Sequence, residues 1–206
     1  MVALLLVPSP LLGPATWAPV AELLDARVAA VDDVIAAAAD LDDVVLVPHS
    51  NAGLHAPRLA AAVAARATVY VDAALAGDGS DVGLAPPRFL DFLSGLADAD
   101  GVLPPWTQWW DEDQVRGLFP DAATRRRVEA EQPQLPLTHF HHRVPVPAGW
   151  ADRPSAYLAF GDTYADEIAF AHAHGRPAHR LDGRHLHQLV DPVAVAATIT
   201  DLVAAL

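Results

Sequence analysis

The chain has 206 residues, 52% of them apolar and 19% charged, enough for one packed domain and too apolar for a disordered chain. Its 13 basic residues, all arginine, face 26 acidic ones, and the formal net charge of −13 would repel a phosphate backbone or an anionic lipid surface. Nucleic acid and membrane are therefore not expected partners, and the absence of cysteine removes disulfides, thiolate metal ligands and cysteine nucleophiles.

The first apolar run, Val2 to Val7, reads as a buried strand rather than a leader, because no basic residue precedes it and Pro8 and Pro10 end it early. A cytoplasmic protein is expected. No run approaches the roughly 20 apolar residues needed to span a bilayer. Trp17 to Leu24 has a helical pattern, Val28 to Val31 leaves room for a vestigial strand, and Asp33 to Ala39 is again helical. Val44 to Val47 is the next strand. It leads straight into Pro48-His49-Ser50-Asn51-Ala52-Gly53, followed by an Ala-rich helix over Leu59 to Ala65.

Strand, sharp turn and helix are the context of a nucleophile elbow. The serine of such an elbow holds a strained backbone conformation, so the positions two before and two after it must be small. Here they are Pro48 and Ala52 instead of the usual glycines, and Gly53 falls one place late. Ser50 would sit at a helix N-terminus, where free N–H groups favour developing negative charge, with the Asn51 N–H as the first donor. A plain helix N-cap would also place a serine here.

A strand over Thr68 to Val71 follows. From Gly77 to Pro154 prolines, tryptophans and charges replace the alternating pattern, and no β-rich run is visible until Pro145. Phe89 to Leu93 looks helical, as does an Arg-rich stretch around Thr124 to Glu131, with Pro104-Pro105-Trp106-Thr107-Gln108-Trp109-Trp110 between them. An insertion at this position suits a cap over a pocket, its tryptophans serving as apolar walls or as anchors to the body. The pattern then resumes with strand Ala156 to Phe160, helix Tyr164 to His174, strand Ala178 to Leu181 and a final helix from Pro192 to Leu206, capped by Asp191 with proline at its first position. Apolar runs alternating with helices predict a parallel sheet covered on both faces.

Three stretches carry the resemblance to a known family. Val2 to Gly13 with Trp17 to Leu24 is similar to an oxyanion-loop strand and first helix, Val69-Tyr70-Val71-Asp72-Ala73-Ala74 to the strand after the elbow, and Leu181-Asp182-Gly183-Arg184-His185-Leu186-His187 through Pro192 to a histidine loop and final helix. The chain thus resembles the α/β-hydrolases. The sequence enters at the oxyanion-loop strand, without the family's two leading strands. The resemblance therefore implies a reduced fold: one domain over 1–206, a mainly parallel sheet of five to six strands, and a small helical, Trp-rich cap over 77–154.

The resemblance further implies Ser50 as nucleophile and His185 as base; His187, two residues on, would face the same way in an extended stretch, so spacing alone does not choose between them. It implies an acid after strand Ala156 to Phe160. Asp162 is first in line, Asp166 and Glu167 follow, and Asp72 and Asp78, after the preceding strand, are reserves. Pro10 stands where an oxyanion N–H is usual and has none to donate, so Leu11 would join Asn51. Trp106, Trp109, Trp110 and His49 are the expected substrate-binding residues, no cofactor is expected, and a homodimer could cover an exposed sheet edge.

The leading expectation is a serine hydrolase of a small, largely apolar ester or thioester acting through an acyl-enzyme. Lyase or cyclase chemistry in the same pocket without acylation is an alternative, as is a non-catalytic binding member, since fold does not fix reaction. The close spacings His139-Phe140-His141-His142, His172-Ala173-His174 and His185-Leu186-His187 resemble those of metal sites, yet complete no metallohydrolase signature, and no metal is expected.

Overall fold

Six parallel strands form the centre of the molecule in the computed structural model, which describes residues 2–77 and 79–206. They are β1 (Ala3–Val7), β2 (Arg27–Val28), β3 (Val44–Ser50), β4 (Ala67–Ala73), β7 (Ser155–Phe160) and β8 (Ala178–Leu181), in spatial order β2-β1-β3-β4-β7-β8. Both faces of the sheet are covered, which is why its strands read as unbroken apolar runs instead of alternating ones. Successive side chains still part company by the period of two. Leu6, Val45, Val47, Val69, Val71, Leu158 and Phe160 pack on one face against Trp17, Val20, Val195, Ile199 and Leu202. On the other face, Leu5, Val7 and Leu46 meet Val34 and Leu59, while Tyr70 and Tyr157 meet Ala171.

The helices that supply these partners are α1 (Ala18–Leu24), α2 (Val34–Ala37), α3 (Ala56–Ala62), α7 (Ala165–Ala173) and α9 (Pro192–Ala204). The predicted helix over Asp33 to Ala39 shortens to four residues, the vestigial strand occupies Arg27–Val28, and α3 begins at Ala56, before the expected Leu59. The chain runs from β1 outward to β2, then crosses back to place β3 on the other side of β1. Such a switch point leaves a crevice beyond the carboxyl ends of the flanking strands, and ligands of open parallel sheets bind there.

Between β4 and β7 lie α4 (Pro87–Leu96), α5 (Glu112–Arg116) and α6 (Ala122–Glu131). Here too lies an antiparallel pair that the sequence did not reveal, β5 (Asp81–Gly83) with β6 (Arg143–Pro145). Three residues per strand are too few to show a period. This segment has its own apolar cluster, in which Leu93, Leu103, Trp109, Val115, Val128 and Phe140 pack against Leu11, Leu12, Leu186 and Leu189 of the body. Each such fully buried side chain contributes roughly 1.5–3 kcal/mol. Polar ties reinforce the seat: the Ala15 N–H donates to Glu131 Oε2 at 2.6 Å, and Gly13, at φ 95°, leaves no room for a Cβ beside Glu131. Among the described residues no helix is long and apolar enough to cross a membrane.

Candidate active site

β3 ends at Ser50 in a backbone conformation of φ 58° and ψ −130°, outside the regions an L-residue normally occupies. The sheet register shifts between His49 and Ser50, and the Ala74 N–H donates to the Ser50 carbonyl at 3.1 Å, so the bend is held by the chain leaving the neighbouring strand β4. A short 3-10 helix, Asn51–Leu54, leads on to α3. Gly53 explains the displaced glycine of the motif: a Cβ there would lie 2.1 Å from the backbone oxygen of Ala74. The constraint comes from the end of β4 passing close behind the turn, and it acts at 53, while Ala52 fits fully buried.

His185 reaches this bend from the loop after β8. Its Nε2 stands 2.9 Å from Ser50 Oγ and accepts the hydroxyl proton when Nδ1 carries the ring hydrogen. Nδ1 donates to Asp72 Oδ2 at 2.6 Å. Asp72 is fully buried near the end of β4, itself at φ 41°, and its Oδ1 accepts the Phe160 N–H at 2.9 Å. A buried carboxylate needs such partners to offset its lost hydration. Tyr157 fixes the strand end beside it, its hydroxyl donating to the Ala73 carbonyl at 2.7 Å and accepting the Ala73 N–H at 3.0 Å. Burial, aided by the Asp72 charge, pushes the Tyr157 hydroxyl far above the usual phenol range, keeping it protonated.

The first-choice acid, Asp162, is therefore corrected. Gly161, at φ 62°, turns the chain immediately after β7, and Asp162 points outward, 77% exposed, to an ion pair with Arg180 at 2.7 Å. The carboxylate that meets His185 is the reserve Asp72, two strands from β8 and adjacent to the serine's own strand. Asp166 and Glu167 ride on the first turn of α7, where burial raises the Glu167 carboxyl. Asp78 lies outside the described residues. His187 also parts from His185, because the chain turns into α8 (His187–Val190) instead of continuing extended, and its ring packs on Phe160 at 5.5 Å.

A cavity of about 560 Å³ opens above Ser50 and His185. Leu11, Asn51, Phe89, Trp106, Trp110 and Leu118 supply much of its wall. Trp109 and His49, both expected to line it, do not. Trp109 is turned into the apolar cluster, its indole N–H donating to the Pro104 carbonyl at 2.7 Å. His49 is fully buried behind the imidazole of His185: the two rings stack with centroids 4.7 Å apart, and the His49 Nε2–H donates to the His185 backbone carbonyl at 3.0 Å. Burial, then the adjacent His185, hold the His49 pKa well below 6.5, so it stays neutral and ties the histidine loop to β3. The Leu11 N–H faces Ser9 Oγ at a long 3.4 Å, in the turn that carries Leu12 N–H to the Ser9 carbonyl. The Asn51 side chain donates to the Leu84 carbonyl at 3.1 Å, linking the elbow to the β4–β7 segment.

Tyr164 is a cavity residue that sequence reasoning missed. It lies against His185, ring centroids 5.8 Å apart, and lines the cavity together with Ser50, while burial pushes its pKa above the usual phenol range. By pattern it belongs to the start of a helix, and it does precede α7. An aromatic residue just beyond a strand end at the sheet's functional edge was the available signal. The histidine-rich stretches do not converge: among the described residues no three His, Asp or Glu side chains could jointly hold a metal ion.

No protein-family model matches the sequence, and no curated protein matches it. Solved structures do. An extracellular α/β-hydrolase from a Paenibacillus species, described as sharing structural and functional homology with tobacco salicylic acid binding protein 2, superposes with a TM-score of 0.72 at 17% identity, over 98% of each chain. A pyrethroid hydrolase gives 0.69 at 18% identity, covering 100% of this chain and 98% of that one. A thioesterase domain from the curacin biosynthetic pathway gives 0.61 at 13% identity, covering 97% and 90%. Six parallel strands between helical layers, a serine bend at the carboxyl end of the third and these superpositions together mean that the chain has the α/β-hydrolase fold, in a reduced form.

Proposed function

We propose that this protein is a serine hydrolase that cleaves a small, largely apolar ester or thioester through an acyl-enzyme. One observation carries the reading: the unbroken path from Ser50 Oγ to His185 Nε2 (2.9 Å) and from His185 Nδ1 to Asp72 Oδ2 (2.6 Å) at the foot of a cavity. Ser50 Oγ attacks the acyl carbon while its proton passes to His185 Nε2. Asp72 holds the tautomer with hydrogen on Nδ1 and stabilises the imidazolium that forms. The N–H groups of Asn51 and Leu11 stabilise the oxyanion, the first at the start of the helix that follows the bend. His185 then returns the proton to the departing alkoxide or thiolate, and water, deprotonated by the same imidazole, releases the acid. The segment between β4 and β7 acts as a cap, with Trp106 and Trp110 as apolar walls.

A fluorophosphonate probe should label the protein, and Ser50→Ala should abolish labelling; a labelled Ser50→Ala variant would overturn the assignment. Tyr164, a second ionisable group on the cavity wall beside His185, favours one second reading, acid–base elimination or ring closure without acylation. Turnover that persists in Ser50→Ala and disappears in His185→Ala would select it.

A further inference from the structure

The cavity wall is not uniformly apolar. Of the chain's 13 arginines one, Arg184, lines it, while no acidic residue among those described does. Arg184 immediately precedes His185, so the same loop that supplies the imidazole supplies a guanidinium to the cavity above it. Among the described residues no carboxylate lies within ion-pair distance of it, although Arg116, Arg125 and Arg180 are each paired with an acid. Arg184 is solvent-exposed, and its guanidinium takes its seat by packing alone. It lies against Gly117, directly after α5, where a Cβ would fall 2.0 Å from Arg184 Nη1 and 2.8 Å from Cζ. Gly117 has φ −73°, so alanine suits its backbone; the room beside it is used by the guanidinium. In a chain of net charge −13, an exposed arginine on an acid-free cavity wall is available to a ligand anion.

We infer that Arg184 is an anchor for an anionic group of the substrate, a carboxylate remote from the scissile bond, with the apolar part of the molecule lying along Phe89, Trp106 and Trp110. As a statement about substrate this rests on the hydrolase reading; as a binding site it stands separately. The substrate class is thus an ester or thioester that is largely apolar but carries one acidic group.

Trp106 and Trp110 make binding observable without turnover, through tryptophan fluorescence. The probes are 3-phenylpropionate and its uncharged analogue 3-phenylpropionamide, titrated at low ionic strength. Wild-type protein should bind the carboxylate at least tenfold more tightly than the amide, the scale of a charge-assisted hydrogen bond. In Arg184→Gln that ratio should fall to about one. Gly117→Ala, which keeps the charge and displaces the guanidinium, should lower it threefold or more. Equal affinities in the wild type, or a ratio that persists in Arg184→Gln, overturn the inference, and an unchanged ratio in Gly117→Ala overturns the seat. If the ratio behaves as expected while the fluorophosphonate fails to label Ser50, the hydrolase reading falls and the anion site remains.

Discussion

Replacing Asp72 by asparagine, with Asp162→Asn as its partner experiment, discriminates between the two candidate acids. The amide keeps the shape of the carboxylate and its oxygen can still accept the Phe160 N–H, so the strand end should hold. What changes is the other position, 2.6 Å from His185 Nδ1. An amide NH₂ in that place donates, forcing the imidazole to carry its hydrogen on Nε2, where it can no longer accept the Ser50 proton. The imidazolium formed during acyl transfer also loses a charge partner. At a centre-to-centre separation of about 4 Å and an effective dielectric of about 20 that attraction is about 4 kcal/mol, or on the order of 10³ in rate. Adding the wrong tautomer puts the expected loss in kcat/KM at about 10³–10⁴. Asp162→Asn removes only an exposed pair with Arg180 and should leave kcat/KM within about twofold. The assay is hydrolysis of p-nitrophenyl butyrate, with thermal midpoints measured in parallel to confirm that both variants are folded. A large loss in Asp162→Asn beside near-normal Asp72→Asn would refute the reasoning.

Gly53→Ala should drive its new methyl into the Ala74 carbonyl, costing about 3 kcal/mol and lowering the melting temperature by about 10 °C, as calorimetry would register. Tyr157→Phe leaves the buried Ala73 N–H and carbonyl without their partner, and denaturant titration should show a loss of about 1–3 kcal/mol accompanied by reduced turnover as Asp72 loosens. Acid should destabilise the fold below pH 6.5: burial lowers the pKa of His49 and His139 and, with Arg58 adding to it, that of His55 to about 4. The unfolded chain therefore binds more protons in that window, so stability is full above pH 6.5 and falls as pH drops toward 4. His55 alone accounts for about 3 kcal/mol of this loss. Urea midpoints between pH 7 and 4 measure it, and a flat profile would contradict the buried neutral state of these rings.

The parallel sheet was legible because both its faces are buried, which writes β1, β3, β4 and β7 into the sequence as short apolar runs. Ser50 stood out for a related reason: a strand that ends in a cluster of small residues and resumes as a helix is a local event, visible along the chain. Asp72 carried a signal of its own, an acid inside the run Val69-Tyr70-Val71-Asp72-Ala73, since a carboxylate in a buried strand must have a partner. The rule that favours the loop after β7 outweighs it on sequence grounds. β5 and β6 were too short for periodicity, and nothing in their sequences announces that they pair.

By itself, then, the sequence determined the strands of the parallel sheet, the longer helices that cover it, and which hydroxyl and imidazole are available, because those properties follow from neighbours along the chain. Which carboxylate turns toward His185, which tryptophans face the cavity and where Arg184 rests were decided only in three dimensions. Each depends on a contact between segments far apart in sequence: β4 against the histidine loop, Trp109 against the apolar cluster, a guanidinium against Gly117. A one-dimensional pattern fixes the direction of a side chain relative to its own strand or helix, and the packing of several such elements settles what it meets.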